Sequence, residues 1–194
     1  MSVSEKVVIA AVQAHSARAG TWSGQVLKWD KLQPGDTVCV APGYYYLKGH
    51  FTLGYLNRRK ISGTKSKPIR FVADTKAKVF KGERAGPVVL YSNTYQTVSL
   101  EGASHIHMDG FTIQNWAKKG TGIGVRSSTG NILRNCHIRY INNTDGVGVS
   151  VLNADCLIQN CKFERINNLG VYCRDRSRTV PLPAYPSNQA CGRH

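Results

Sequence analysis

The sequence predicts an all-β chain wound as a parallel β-solenoid, and three observations carry that expectation. The first is an internal repeat: His107–Trp116, Ile132–Ile141 and Leu157–Ile166 align at a constant offset of 25 residues. Met108, Leu133 and Ile158 coincide, as do Phe111, Cys136 and Cys161, then Ile113, Ile138 and Phe163, then Trp116, Ile141 and Ile166. The second is a companion series, Gly122-Ile123-Gly124-Val125, Gly146-Val147-Gly148-Val149 and Gly170-Val171-Tyr172, recurring at 24 residues. The third is local: within each unit apolar residues alternate with polar ones, and Gly or Asn separates the runs, which is strand periodicity broken by turns. A unit this small cannot bury its apolar face alone. Stacking successive units about 4.8 Å apart lets each cover the next.

The elements follow in chain order. Val7 to Val12 is a short apolar run after Lys6, and Val7, Val8, Ala11 and Val12 fall at helical spacing, so residues 1–31 read as a cap with a short amphipathic helix. Gln13 and His15 interrupt that run early for a secretion signal, although Ala17-Arg18-Ala19 has the shape of a cleavage site; no compartment is assigned. Thr37–Val40, Pro68–Val72, Val88–Leu90 and Thr97–Leu100 read as short strands of the same plan at looser spacing. Asn135 and Asn160, with Gly110 before them, share one turn position, and Asn142-Asn143 and Asn167-Asn168 another; Asn tolerates left-handed turns and its amides can stack. The repeat fades after Tyr172, and Arg174–Arg178 leads into Pro181, Pro183 and Pro186. The expected division is a cap over 1–31, a solenoid over 32–172, and a tail or second cap over 173–194.

Particular residues then carry a resemblance. Leu32-Gln33-Pro34-Gly35-Asp36-Thr37-Val38 with Ala41-Pro42-Gly43-Tyr44-Tyr45 is similar to the opening coil of right-handed parallel β-helix proteins of the pectate-lyase-like superfamily. Ser62-Gly63-Thr64 followed by Lys67-Pro68-Ile69 resembles the next coil, and Ile106–Ile113 a central one. The likeness runs from Leu32 to Tyr172. It implies a right-handed parallel β-helix, here of about five to six coils with a short helical cap, in a short member of the superfamily or a shortened derivative of a longer one. It also implies action on, or binding of, an acidic uronate polysaccharide, with lyase chemistry as the reaction.

Composition narrows the partners. The chain has 194 residues, 26 basic against 11 acidic side chains for a net charge of +15, and 41% hydrophobic residues. That is enough apolar material for a core, and no run approaches the roughly 20 residues of a membrane helix. Between Asn57 and Arg84 lie Arg58, Arg59, Lys60, Lys65, Lys67, Arg70, Lys76, Lys78, Lys81 and Arg84, against Asp74 and Glu83 alone. Such a field concentrates polyanions, whether acidic polysaccharide or nucleic acid, although a solvated basic surface explains it as well. No helix-turn-helix, zinc-finger or RNP pattern argues for sequence-specific nucleic-acid recognition. The ends of a solenoid expose core and strand edges, which allows a homo-oligomer.

Cleaving a uronate polymer by β-elimination, as the resemblance implies, needs the carboxylate beside C5 neutralised and a base for the C5 proton. Outward positions of the repeat supply candidates: Gln114, Arg139 and Glu164 form one row, and Asn115, Tyr140 and Arg165 the next. Arg139, Tyr140 and Arg165 are the catalytic candidates, and Lys118, Lys119, Arg126 and Arg134 the substrate-binding ones. The simpler reading of Arg139 is an ion pair with Glu164 across coils. No cofactor is expected: calcium wants six to eight oxygens with several carboxylates, and no row holds two acidic residues. Hydrolysis wants two carboxylates at a set separation, whereas Asp109, Asp145, Asp155 and Glu164 are scattered. His105 and His107 lack an evident third metal ligand. Tyr44, Tyr45, Tyr46, Tyr55, Tyr91 and Tyr95 offer a sugar-stacking platform, or ordinary strand tyrosines. The six cysteines form no CxxC pair and read as free, mostly buried thiols. A non-catalytic module for polyanion binding or assembly is the alternative function.

Overall fold

Three parallel sheets wrap one apolar column. The computed structural model describes residues 7–10, 20–21, 32–47, 51–52, 61–142, 144–174 and 178–180. Sheet A stacks β1 (Val7–Ala10), β3 (Thr37–Val40), β6 (Ile69–Ala73), β9 (Ile106–Asp109), β12 (Asn131–Arg134), β15 (Asp155–Gln159) and β18 (Arg178–Val180). Sheet B stacks β2 (Gly20–Thr21), β4 (Gly43–Tyr46), β7 (Val88–Ser92), β10 (Thr112–Asn115), β13 (His137–Ile141) and β16 (Lys162–Ile166). Sheet C stacks β5 (Phe51–Thr52), β8 (Gln96–Ser99), β11 (Thr121–Arg126), β14 (Val147–Leu152) and β17 (Leu169–Arg174). The chain visits A, B and C in turn, which is a β-solenoid. Its regular part is the three turns β9–β11, β12–β14 and β15–β17; the coils before them carry longer excursions such as residues 74–87.

The alternation in the sequence is the cause of this register. On sheet A the inward column is Val38, Phe71, Met108, Leu133 and Ile158, each directly over the next and none more than 2% exposed. Leu90, Ile113 and Ile138 line sheet B, and Val98, Ile123 and Val149 line sheet C. A one-residue slip would turn every such side chain outward, so burial itself holds the register. Phe111, Cys136 and Cys161 stack at the A-to-B corner as the repeat requires, and Cys39, Cys136, Cys156 and Cys161 are free, buried thiols. There Gly110, Asn135 and Asn160 take φ of 81°, 53° and 51°, the left-handed turn expected of them. Asn135 donates its amide to Asp109 Oδ1 at 2.8 Å instead of to another asparagine.

Two expectations are corrected. Val7–Ala10 is a strand in register with Thr37–Val40, not part of a helical cap. Val7-Val8-Ile9 is β-branched throughout, and the end of a solenoid offers an open strand edge to pair with. Of the rest of the expected cap, Gly20–Thr21 is a strand paired with Tyr45 and Tyr46 and the other residues lie outside the described ones; among those described there is no helix. The glycine series also shifts by two: Gly122 stacks on Gly148 and Gly148 on Gly170, with Gly146 left in the turn. A Cβ on Gly122 would lie 2.6 Å from Gly148 O and 2.8 Å from Ile141 Cδ1, so this inward column must be glycine.

The excursion 74–87 is tied at its base. Asp74 accepts backbone N–H bonds from Lys78, Val79 and Phe80 at 2.9, 2.7 and 3.1 Å. Burial alone would raise its pKa, but these donors, with the Lys78 charge, leave the carboxyl below its ordinary value.

Candidate functional site

The site is built by one extra residue. Ile113 pairs with Ile138 at an offset of 138 − 113 = 25, yet Thr121 pairs with Val147 at 147 − 121 = 26. Tyr140 takes up the difference. Its φ is 55°, and the β13–β16 ladder runs through Arg139↔Glu164 and Ile141↔Ile166 while skipping Tyr140 and Arg165. Arg165, one coil on, repeats the conformation at φ 53°. Relative to β10, Tyr140 is therefore a bulge residue on the end of sheet B, and Arg165 stacks on it one for one with the same backbone; bulges re-aim side chains and recur beside active sites. Asn115, which the repeat places in their row, is buried instead. Its amide binds Thr94 O, Thr97 Oγ1 and Thr121 O at 2.9, 3.0 and 3.2 Å and locks the turn.

The bulge gathers the three catalytic candidates. The Arg139 and Arg165 guanidinium carbons lie 5.1 and 5.2 Å from the Tyr140 ring centroid, so one phenol is shared by two cations. Neither arginine makes an ion pair among the described residues, and Arg139 Nε is buried with no hydrogen-bond partner. The expected Arg139–Glu164 pair does not form. Glu164 instead binds Lys162 Nζ at 2.9 Å and His137 Nε2 at 3.1 Å. The Lys162 hydrogen bond foremost holds the Glu164 carboxyl below its usual value, against a smaller opposing effect of desolvation. Burial lowers the His137 pKa; the Glu164 hydrogen bond opposes that, and the Arg139 and Lys162 charges reinforce it. Nothing in the repeat marks His137, and Glu164 enters the sequence reading only as the cross-coil partner of Arg139 and as one of four scattered carboxylates. The repeat pairs His137 with Lys162, and the His137–Glu164 contact crosses that register diagonally.

The four substrate-binding candidates divide among corners. Lys118 and Lys119 occupy the turn between β10 and β11, the same B-to-C corner as Tyr140 and Arg165, and Lys119 Nζ pairs with Asp145 at 3.3 Å. Arg126 ends β11 at the C-to-A corner and sits 3.8 Å from Glu101. Arg134 ends β12 at the A-to-B corner, 3.1 Å from Asp109. The structure thus brings together Arg139, Tyr140 and Arg165, with Lys118 and Lys119 on the same corner, and sets Arg126 and Arg134 apart.

Aromatic rings approach the same corner from the preceding coils. Tyr46 and Tyr91 have centroids 5.4 Å apart, Tyr91 and Trp116 4.9 Å, and Trp116 is 60% exposed. Tyr45 points inward, donates its hydroxyl to Ala41 O at 2.8 Å, and has its pKa pushed up to about 12 by burial first and the Glu83 charge second. Tyr55 lies outside the described residues. Among the described residues no three His, Cys, Asp or Glu side chains stand together as metal ligands. His105 turns the chain at φ 54°, and His107 lies on sheet A. Lys65, Lys67, Lys76, Lys78, Lys81 and Arg84 are exposed, away from the bulge; Arg58, Arg59 and Lys60 lie outside the described residues.

Known proteins share this architecture. Residues 88–181 match the family model described as the right handed beta helix region. The GH136 lacto-N-biosidase of Eubacterium ramulus superposes with a TM-score of 0.54 at 15% identity, over 76% of this chain. This chain spans 31% of the length of that enzyme. An alginate lyase from Paenibacillus sp. str. FPU-7 gives a TM-score of 0.48 at 15% identity, over 91% of this chain and 74% of its own. No curated protein sequence matches. The described residues form a parallel β-helix, and the match to the right handed beta helix region covers its later coils.

Proposed function

We propose that the protein binds an acidic, uronate-containing polysaccharide at the B-to-C corner and cleaves it by β-elimination. One observation carries the reading: Arg139 and Arg165 flank the Tyr140 phenol with no carboxylate partner among the described residues. Two such cations side by side repel, and a buried guanidinium nitrogen without a partner is costly; a sugar carboxylate relieves both. Neutralising that carboxylate is also what acidifies the C5 proton, and in this reading the Tyr140 phenol is the group that gives a proton to the departing oxygen. Trp116 supplies a flat apolar face for a neighbouring ring. Lys118 and Lys119 extend the positive field along the same corner. Arg126 and Arg134, on other corners, are assigned to structure.

The test is incubation with pectate, alginate, hyaluronan and chondroitin sulfate, with and without calcium, following the ultraviolet absorbance of the unsaturated uronate. A rise abolished in Arg139→Ala and Arg165→Ala supports the reading; a flat trace on all four removes the lyase step. A second reading, polyanion binding without chemistry, is favoured by the exposed Lys65, Lys67, Lys76, Lys78, Lys81 and Arg84. It expects retention of the polymer with no product.

A further inference from the structure

We infer that His137 is the proton acceptor of this site, oriented by Glu164; the inference rests on the reading that a uronate binds between Arg139 and Arg165. The geometry is that of a base with its orienting carboxylate. His137 Nε2 lies 3.1 Å from Glu164 Oε2, so the Nε2 proton is donated to the carboxylate and Nδ1 keeps its lone pair. Glu164 is itself fixed by Lys162 Nζ at 2.9 Å. His137 and Arg139 are two apart on β13 and face outward together, which sets the imidazole beside the guanidinium that receives the carboxylate.

The charged neighbours of His137 are few. Arg139 lies on its own strand and Lys162 and Glu164 on β16, while its β10 partner is the uncharged Thr112. Burial and the two cations outweigh Glu164, so the ring is neutral at neutral pH and free to accept a proton.

The chemistry balances within the site. His137 Nδ1 takes the C5 proton, and the C5–H electron pair becomes the C4–C5 double bond. The C4–O4 bond breaks with its electrons moving to O4, which takes the phenolic proton of Tyr140. The phenolate is then held between Arg139 and Arg165. Exchange with solvent returns the proton to Tyr140 and removes the one on His137, and no co-reactant is consumed.

The experiment uses oligomers of alginate, pectate, hyaluronan and chondroitin sulfate as probes. The His137 imidazole is followed by NMR, its signals assigned by their loss in His137→Asn. A bound carboxylate favours the imidazolium, so binding is expected to raise the pH at which His137 titrates. On whichever polymer yields product, His137→Asn is expected to lower kcat by about a hundredfold or more with KM little changed. Glu164→Gln is expected to retain binding while moving the acid limb of the rate profile. Product at the parent rate in His137→Asn overturns the assignment. So does binding that leaves the His137 titration unmoved, or binding with no product; in both cases the anion site at Arg139 and Arg165 stands. Absence of binding by every probe overturns the anion site and the proton acceptor together.

Discussion

Two corners of the solenoid bend the chain through the same left-handed backbone region, and opposite kinds of residue fill them. At the A-to-B corner stand Gly110, Asn135 and Asn160; at the B-to-C corner stand Tyr140 and Arg165. That region costs an ordinary L-residue about 1–2 kcal/mol, and Gly and Asn meet it at least expense. The first corner is therefore occupied as local physics favours, and its Asn135 side chain turns back onto the coil to bind Asp109. The second is occupied against local preference, and its side chains face one another: one phenol between two guanidiniums. Strain that buys no structural bond points to a function. A repeat position filled by turn formers belongs to the scaffold, and the one filled by a bulky aromatic and an arginine is the one assigned to the proposed site.

The comparison can be broken at several levels. The largest effect is expected from the column that holds both corners: Leu133→Ala should cost about 3 kcal/mol or more, read by denaturant unfolding. Gly122→Ala drives a methyl into Gly148 O and should cost about 1–3 kcal/mol. Exchanging the corner chemistries is more pointed. Asn135→Tyr should destabilise by about 1–2 kcal/mol and confer no polyanion binding. Asn135→Gly should change stability by only a few tenths of a kcal/mol.

A pH-dependent effect is expected at Asp74. Its folded pKa lies below the ordinary 3.8, so its contribution is complete above that pH and is lost as pH falls through the lowered value. Asp74→Asn should therefore weaken the protein at neutral pH by about 1 kcal/mol, with the gap closing in acid. A gap that persists there would assign the effect to packing.

How far these corners are legible in the sequence follows from what a repeat encodes. Like residues at an offset of 25 must stack, so the inward column through Met108, Leu133 and Ile158 and the Asn135–Asn160 turn could be read directly. The neighbourhood of Arg139, Tyr140 and Arg165 was readable for the same reason. Three things were not. A six-residue apolar run such as Val7–Val12 is too short for periodicity to separate helix from strand, and an open sheet edge decided it. The turns between sheets B and C differ in length from coil to coil, which an alignment at one offset cannot follow: Gly122 stacks on Gly148 at 26 residues and Gly148 on Gly170 at 22, neither at 24. Side-chain choice among near neighbours is invisible as well. Glu164 had Arg139 as its ladder partner and bound His137 and Lys162 instead, which left Arg139 without an ion pair among the described residues and set His137 beside the proposed site.

The most direct measurement is Tyr140→Gly, read twice, by thermal unfolding and by retention on immobilised alginate, pectate, hyaluronan and chondroitin sulfate. Glycine meets a φ of 55° without strain and removes the phenol that holds Arg139 and Arg165 together. The expected result is a midpoint at or above that of the parent protein, with polymer retention reduced about tenfold or more. A variant that unfolds early, or one that retains the polymer like the parent, would make the bulge one more piece of scaffold and contradict the distinction between the two corners.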